Sequence, residues 1–333
     1  MTETTPSGSS GSGTSGSVPA TSVEDGETDF DRFYERQIHP WLETEEVRRQ
    51  ALVSRFWRVL LPIVAGAVAL FAVLMFVVPS IVEMWPFYFA IAAMVAIGSG
   101  YPLYQWSDKF NAELAKQVFG HFDYAYSPTA PREILSAFSG VGILPSYNRD
   151  TCTDHISGKA EDVPFEVIEA HLVHRTRNRK NETTDTTVFR GLLARFDFPK
   201  PFKARTLVLA DRGAIFNALG GLFESDKRVR LEDPRFEKAF EVYSPDQIEA
   251  RYLLTPAFME RLLSLKARVD CSLCAAFDQG QLWLAIDGRR EYFPRFSVWR
   301  DLRRADQIRG LLRDINLISD IARLLRLDGE TRV

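Results

Sequence analysis

The chain has 333 residues, 46% of them hydrophobic, and a formal net charge of −3, a size that accommodates about two modest domains. Residues 1–46 hold ten acids and two bases, a net −8, which leaves +5 for the remainder. An excess that small suits a surface near anionic lipid and is no footprint for nucleic acid. The three cysteines, an odd number, argue against a disulfide framework and for a reducing compartment.

The first 28 residues, MTETTPSGSSGSGTSGSVPATSVEDGET, have neither the basic start nor the apolar run of a cleavable signal peptide, and their Gly/Ser/Thr content reads as a disordered tail. A helical lead-in over 29–58 comes next. Pro40 and LETEEVRRQAL form a helix start, with Glu45/Arg49 and Glu46/Gln50 at i, i+4. The aromatic residues Phe30, Phe33, Tyr34 and Trp41 suit contact with lipid or with the soluble domain equally.

Residues 59–78 (VLLPIVAGAVALFAVLMFVV) and 85–104 (WPFYFAIAAMVAIGSGYPLY) are uncharged throughout. Each is long enough to cross the hydrocarbon layer, since roughly 20 helical residues cover about 30 Å. Pro62 falls in the first turn of the first span, where a missing N–H breaks no bond. Only PSIVEM separates the two, so 59–104 is predicted to be a tight antiparallel transmembrane hairpin. Ala65 and Ala69 on one helix and Ala92, Ala96 and Gly100 on the other are spaced for close packing. Arg48, Arg49, Arg55 and Arg58 precede the hairpin, Lys109 and Lys116 come after it, and the connector carries no cation. The bias of cations toward the cytoplasmic side therefore predicts an inner-membrane protein with both termini in the cytoplasm.

Residues 105–333 then form a cytoplasmic α+β domain with a mainly antiparallel sheet. SPTAPREILSAFSG, Ser127 to Gly140, reads as a short helix. Strand-like runs come after it. In LLARFDF, Leu192, Ala194, Phe196 and Phe198 alternate with Arg195 and Asp197, a sheet with one wet face. The run from Val163 to Arg175 switches faces after Val167, which a bulge or two-sided burial would explain. The loop RTRNRKNETTDT between these strands carries Arg175, Arg177, Arg179 and Lys180. This cluster is either a solvated hairpin or a candidate contact for anionic lipid or an acidic partner.

In EVYSPDQIEARYLLTPAFMERL, Ser244 with Pro245 and Gln247, and Thr255 with Pro256, are helix-start signals, so the charges are the outer faces of two short helices. CSLC (Cys271, Cys274) lies at the start of a strand–turn–strand unit, where residues three apart diverge, so buried thiols fit better than a redox or metal pair. The pairs His171/His174 and Asp154/His155 lack a third ligand at metal spacing, and SGVGIL (139–144) lacks the Lys and Ser/Thr of a phosphate loop. The C-terminal run 300–327 is a helix with two apolar stripes: Ile308, Leu311, Leu312, Ile315, Ile318 and Ala322, then Leu317, Ile321 and Leu324.

VRLEDPRFEKAFEVYSPDQIEARYLLTPAFMERL, FDFPKPFKARTLVLAD and FDRFYERQIHPWLETEEVRRQAL together resemble a bacterial family of two-span inner-membrane proteins catalogued as a domain of unknown function. The likeness runs from about Phe30 to Leu284. It implies a bacterial membrane protein with a cytoplasmic domain and brings no activity, cofactor or catalytic residue with it.

The expected function is a membrane-anchored interaction module whose partners are the lipid bilayer and a membrane or cytoplasmic protein. A homo-oligomer stays open. No catalytic residue, cofactor or metal set is expected. The alternative is an enzyme tethered to the membrane that uses the strand-end carboxylates Asp154, Asp197 and Asp211.

Overall fold

Helix formation starts earlier than Pro40. The computed structural model describes residues 30–77, 85–177, 181–210, 227–293, 295–303 and 305–330, and the chain is already helical at Phe30. A π-helical turn, Tyr34–Ile38, leads into α1, His39–Val77. Pro40 therefore lies just inside a helix that has begun, and Pro62 sits in its interior rather than in a first turn. There it removes one backbone donor from the ladder. The helical stretch Phe30–Val73 holds an 18-residue window of mean hydropathy 2.1, none of it buried, and among the described residues it is the one helix long and apolar enough to cross a membrane.

The second apolar run is helical too, within α2, Trp85–His121. Phe87, Ile91, Met94, Ile97, Tyr101 and Tyr104 are exposed on it. α1 and α2 pack side by side. Ala92, Ala96 and Gly100 are half-buried as their spacing predicts, and a Cβ on Gly100 would touch Phe56 at 3.6 Å. On α1 the expectation fails. Ala65 and Ala69 are exposed, and Phe56, Leu60, Ala67 and Phe71 are the partly covered positions. Their spacing of four, seven and four residues matches the seam of a supercoiled pair.

α2 ends in a tight turn, with Phe122 and Tyr124 N–H both donating to the Phe119 carbonyl, and β1 (Ala125–Thr129) runs back along it. Strand β1 absorbs Ser127, so the helix predicted over 127–140 is shorter: α3, Arg132–Val141, ends on Gly142 at φ 87°, a left-handed position that favours glycine. The other elements are β2 (Arg149–Ala160), β3 (Val163–Arg177), β4 (Thr183–Asp197), β5 (Thr206–Ala210), β6 (Lys227–Val229), α4 (Pro234–Ala239), β7 (Phe240–Ser244), α5 (Gln247–Leu253), α6 (Pro256–Val269), β8 (Ser272–Asp278), β9 (Gln281–Asp287) and α7 (Ala305–Glu330). The strands form one nine-stranded sheet in the order β1-β2-β3-β4-β9-β8-β5-β7-β6, antiparallel at every pairing. The described residues thus show one long exposed apolar helix near the N-terminus and an α+β domain.

One sheet face is covered and the other is covered in part, where one fully wet face was expected; Arg195 and Asp197 keep the predicted outward side. On the first, Phe165, Val167, Leu192, Ala194 and Phe196 meet the lower half of α2 together with α6 and α7. On the second, Ile168, Ala170, Leu172 and Leu193 lie under α3, where Phe138 meets Trp283 edge-on at 4.9 Å. Two-sided burial therefore explains the switch in β3. α3 is too short to cover the whole second face, and Arg195 remains only half-buried there, over the Trp283 ring at 5.2 Å.

Both stripes of α7 contribute to the same core: Ile308, Leu311, Ile315, Leu317, Ile318, Ile321 and Ala322 are buried and Leu312 is partly buried, while the side chain of Leu324 lies outside the described residues. Cys271 borders the first core and Cys274 lies in the second, so the two sulfurs diverge as predicted. Thr255 caps α6 by accepting from Phe258 N–H at 3.2 Å. Ser244 caps nothing. Its hydroxyl is turned to β5, donating to the Arg205 carbonyl at 3.1 Å, and Asp246 caps α5 instead by accepting from Ile248 and Glu249 N–H. A carboxylate is the stronger acceptor at a helix N-terminus.

Candidate functional site

Helix α1 enters the domain core without a break. Ile38, Leu42, Trp106, Phe110, Leu114, Val118 and Phe119, all below the apolar stretches of α1 and α2, are buried in the first core. The lead-in aromatics settle on the domain: Phe33 stacks on His121 at 4.1 Å, and Trp41 on Phe110 at 5.1 Å. Segment 295–303 straps these helices together. Asn111 holds Phe296 N–H at 2.6 Å, Arg49 donates to the Val298 carbonyl at 2.8 Å, and Leu302 N–H donates to Glu46 at 3.1 Å. Glu46 pairs with Arg49 at 2.7 Å and Gln50 at 2.8 Å. The predicted Glu45–Arg49 pair is replaced by contacts of Glu45 with Trp106 at 2.7 Å and Arg48 at 3.5 Å.

The strap ends in aromatic contact with the base of the apolar helix, where Trp299 lies 5.7 Å from Phe56 and 6.3 Å from Trp57. Trp57, Trp299, Tyr101 and Tyr104 are all exposed around the point where α1 and α2 pass from apolar to charged sequence. Such rings favour a headgroup zone.

Between α1 and α2, just below that ring, lies a cleft of about 690 Å³. The stacked rings of Trp41, Phe110 and Trp106 (5.1 and 5.2 Å between centroids) line it between the two helices. Arg48 borders it from α1, and Lys109 and Lys116 from α2. Among the described residues neither lysine has a carboxylate within 4 Å.

A second cavity, about 350 Å³, adjoins it past Tyr126 and Pro128, between α2 and the edge of the sheet. Its wall carries Asp154, 6% exposed and at φ 53° in the irregular pairing between Thr153 and Ile156, which accepts from the Tyr126 hydroxyl at 2.6 Å. Beside it Glu169, 7% exposed, accepts from the N–H groups of Tyr292 and Phe293 at 3.3 and 3.4 Å. Burial, and after it the charge of Asp154, pushes the Glu169 carboxyl up to about 7.

An acid raised in the folded state stabilises most below its unfolded pKa of about 4.3 and loses that contribution as pH climbs through about 7. Glu169→Gln keeps an acceptor for the two N–H groups and removes the charge. It is expected to raise the thermal midpoint at pH 8 by several degrees (about 1–3 kcal/mol) and to leave it unchanged at pH 4.5. Equal shifts at both pH values in a melting series would disprove a titrating Glu169.

The predicted candidates do not converge. Arg175 pairs across the hairpin with Asp185, and its backbone is held by Asn148 at 2.7 and 2.8 Å, while Arg177 is exposed opposite Thr183. Arg179 and Lys180 lie outside the described residues, as does Asp211. Asp197 is exposed, accepts from Gln281 at 3.0 Å, and alternates with Phe196 and Phe198, so it faces away from Asp154. His155 meets Glu166 at 2.8 Å and His171 meets Thr187 at 3.1 Å. Among the described residues no cluster of His, Cys, Asp or Glu is arranged to hold a metal. Glu169 was missed in sequence although it continues the alternation Phe165, Val167 into the core. A charge in an apolar register was the available signal.

No curated protein matches the chain. Among solved structures, the crystal structure of the mycobacterial trehalose monomycolate transport factor A, TtfA, aligns with a TM-score of 0.34 and 11% identity over 65% of this chain and 96% of that one. That alignment is too loose to carry an argument. The resemblance seen in sequence is recovered in part: it stops short of the apolar helices and takes in most of α7, because residues 187–327 match the family described as "Protein of unknown function (DUF3137)".

Proposed function

We propose that this chain is an inner-membrane interaction module whose apolar segments 59–78 and 85–104 cross the bilayer as a hairpin, holding the α+β domain against the cytoplasmic headgroups. The observation that carries this reading is the continuity of α1 and α2 with the first core. Ile38 and Leu42 are fully buried, so processing that removed the first apolar segment as a signal sequence would take part of the core with it. Exposed Val68, Leu70, Val73, Ile91, Met94 and Ile97 would otherwise stand in water, against the tendency of soluble surfaces to avoid such patches.

Chain direction adds support. β1 returns along α2 toward the apolar half, β2 runs away from it and β3 returns again, so Arg175 and Arg177 belong to the end of the sheet nearer the hairpin. Cations there gain about 1 kcal/mol each near anionic lipid.

The test uses the full chain in bacterial membranes, with Cys152, Cys271 and Cys274 replaced by alanine. The protein is expected to resist alkaline carbonate and dissolve only in detergent. A cysteine at Ser80 should react with an impermeant maleimide from outside the inner membrane, and one at Ser107 only after lysis. A carbonate-soluble or N-terminally shortened chain, or labelling at Ser107 from outside, rules the reading out.

A further inference from the structure

We infer that the cleft between α1 and α2 is a binding site for one anionic phospholipid, with the phosphodiester held by Arg48, Lys109 and Lys116 and the glycerol end resting on Trp41, Trp106 and Leu52. This rests on the membrane reading and names the ligand of its headgroup-facing surface. Three observations converge on it.

Geometry comes first. The groove lies between two antiparallel helices and is lined by Trp41, Arg48 and Leu52 on one and by Trp106, Lys109 and Lys116 on the other. Its volume of about 690 Å³ is within the ~300–1,000 Å³ range of small-molecule sites. Leu52 and Pro102 line its end nearest the apolar segments. A lipid seated there keeps its acyl chains along the exposed apolar surface of α1 and α2. A free anion has no use for that continuity, which is why a phospholipid is the occupant the structure favours.

Charge is the second. Of the two acids on the cleft, Glu45 accepts from the Trp106 indole at 2.7 Å and lies 3.5 Å from Arg48, while Glu113 is engaged by Gln117 at 3.3 Å. Lys109 and Lys116 are exposed on the same face of α2, seven residues apart, with no acid partner among the described residues. Arg48 is 68% exposed. Ammonium and guanidinium groups lining one groove fit a phosphodiester.

Rigidity is the third. The groove is lined by stacked rings buried on their far side, Trp106 at 7% and Phe110 at 4% exposure, so the site exists before any ligand arrives and binding requires little ordering.

The experiment titrates the full chain, purified in an uncharged detergent, with phosphatidylglycerol or phosphatidylcholine and counts bound lipids by native mass spectrometry. Phosphatidylglycerol is expected to bind one per chain and more tightly than phosphatidylcholine. At roughly fivefold per cation, Lys109→Gln with Lys116→Gln should weaken it about 25-fold. Lys159→Gln with Lys203→Gln, exposed cations that line no part of the cleft, should leave that one-to-one binding intact, and the melting midpoints of both double variants should match the parent.

Equal binding of the two lipids, retention of phosphatidylglycerol by the Lys109/Lys116 variant, or displacement by millimolar inorganic phosphate would each overturn the inference. The last would show a free-anion site. None of these outcomes bears on carbonate extraction, so failure here is separable from failure of the anchoring reading.

Discussion

Gly191→Ala is expected to unfold the domain at a temperature roughly 6 °C or more below the parent. Gly191 is buried in β4 opposite Ala170 of β3, where the end of β9 passes directly over it. A Cβ built there would stand 1.9 Å from the Ile286 carbonyl oxygen and 3.2 Å from Gly288 N. Overpacking against side chains costs about 1–3 kcal/mol because they can turn aside. Here the obstacle is backbone in a paired strand, so either the β4–β9 ladder opens or the strands part. A cost of ~3 kcal/mol or more corresponds to roughly 6–12 °C for a domain of this size. Gly140→Ala provides the comparison, since nothing lies within 4 Å of its Cβ position in α3, and it should be neutral or slightly stabilising. A Gly191→Ala midpoint within 2 °C of the parent, measured by circular dichroism, would contradict this account of the β4–β9 contact.

Glu46→Ala should be nearly as costly, and its effect should appear far away in sequence. Glu46 is 3% exposed and accepts from Arg49, Gln50 and the N–H of Leu302. Deleting it leaves a guanidinium, 11% exposed, and a buried N–H without their acceptor, a loss of about 3–5 kcal/mol for a buried pair broken on one side. Because Leu302 belongs to the strap, trypsin should cut sooner at Arg295, Arg300 and Arg303 in the variant.

The pH dependence has a definite sign. The Arg49 hydrogen bonds hold the Glu46 carboxyl below its ordinary range, against the opposing effect of burial. A depressed acid stabilises above its unfolded pKa of about 4.3, and that contribution disappears as pH falls through the folded value. The gap between parent and variant should therefore be full at pH 7 and close below about pH 4. A gap independent of pH, or unchanged tryptic cleavage, would mean that Glu46 is not the latch.

Much of this architecture was legible in the sequence because it rests on local rules. Apolar runs without charge gave the two long helices. Alternation gave β4, and the turn at Gln279–Gly280 between β8 and β9 agrees with the strand–turn–strand reading around CSLC. Thr255 before Pro256 marked the start of α6.

What the sequence hid is non-local. That the second sheet face is covered in part depends on α3, which is brought over β3 and β4 from earlier in the chain. Ser244 looked like a cap, but β5 claims its hydroxyl. The seam of the helix pair runs through Phe56, Leu60, Ala67 and Phe71 rather than the small residues Ala65 and Ala69. The cleft was illegible because its lining comes from positions on two helices that lie about fifty or more residues apart in sequence, brought together only when the helices pack. The basic hairpin was visible as a charge run, but the pairing of Arg175 with Asp185 was not.

The unbroken passage of α1 and α2 into the core makes helical pitch a gauge. Each added residue advances a helix by 1.5 Å and rotates the rest of it by about 100°. A one-residue insertion beside Ser54 alone would move the lead-in by 1.5 Å and turn it by about 100° against α2, pulling Trp41 off Phe110 and Glu45 off Trp106. Matched insertions of a whole turn in both helices would lift the domain by about 5 Å with its azimuth kept. Height and heading over the apolar segments are thus set by counting residues, as no flexible tether could set them.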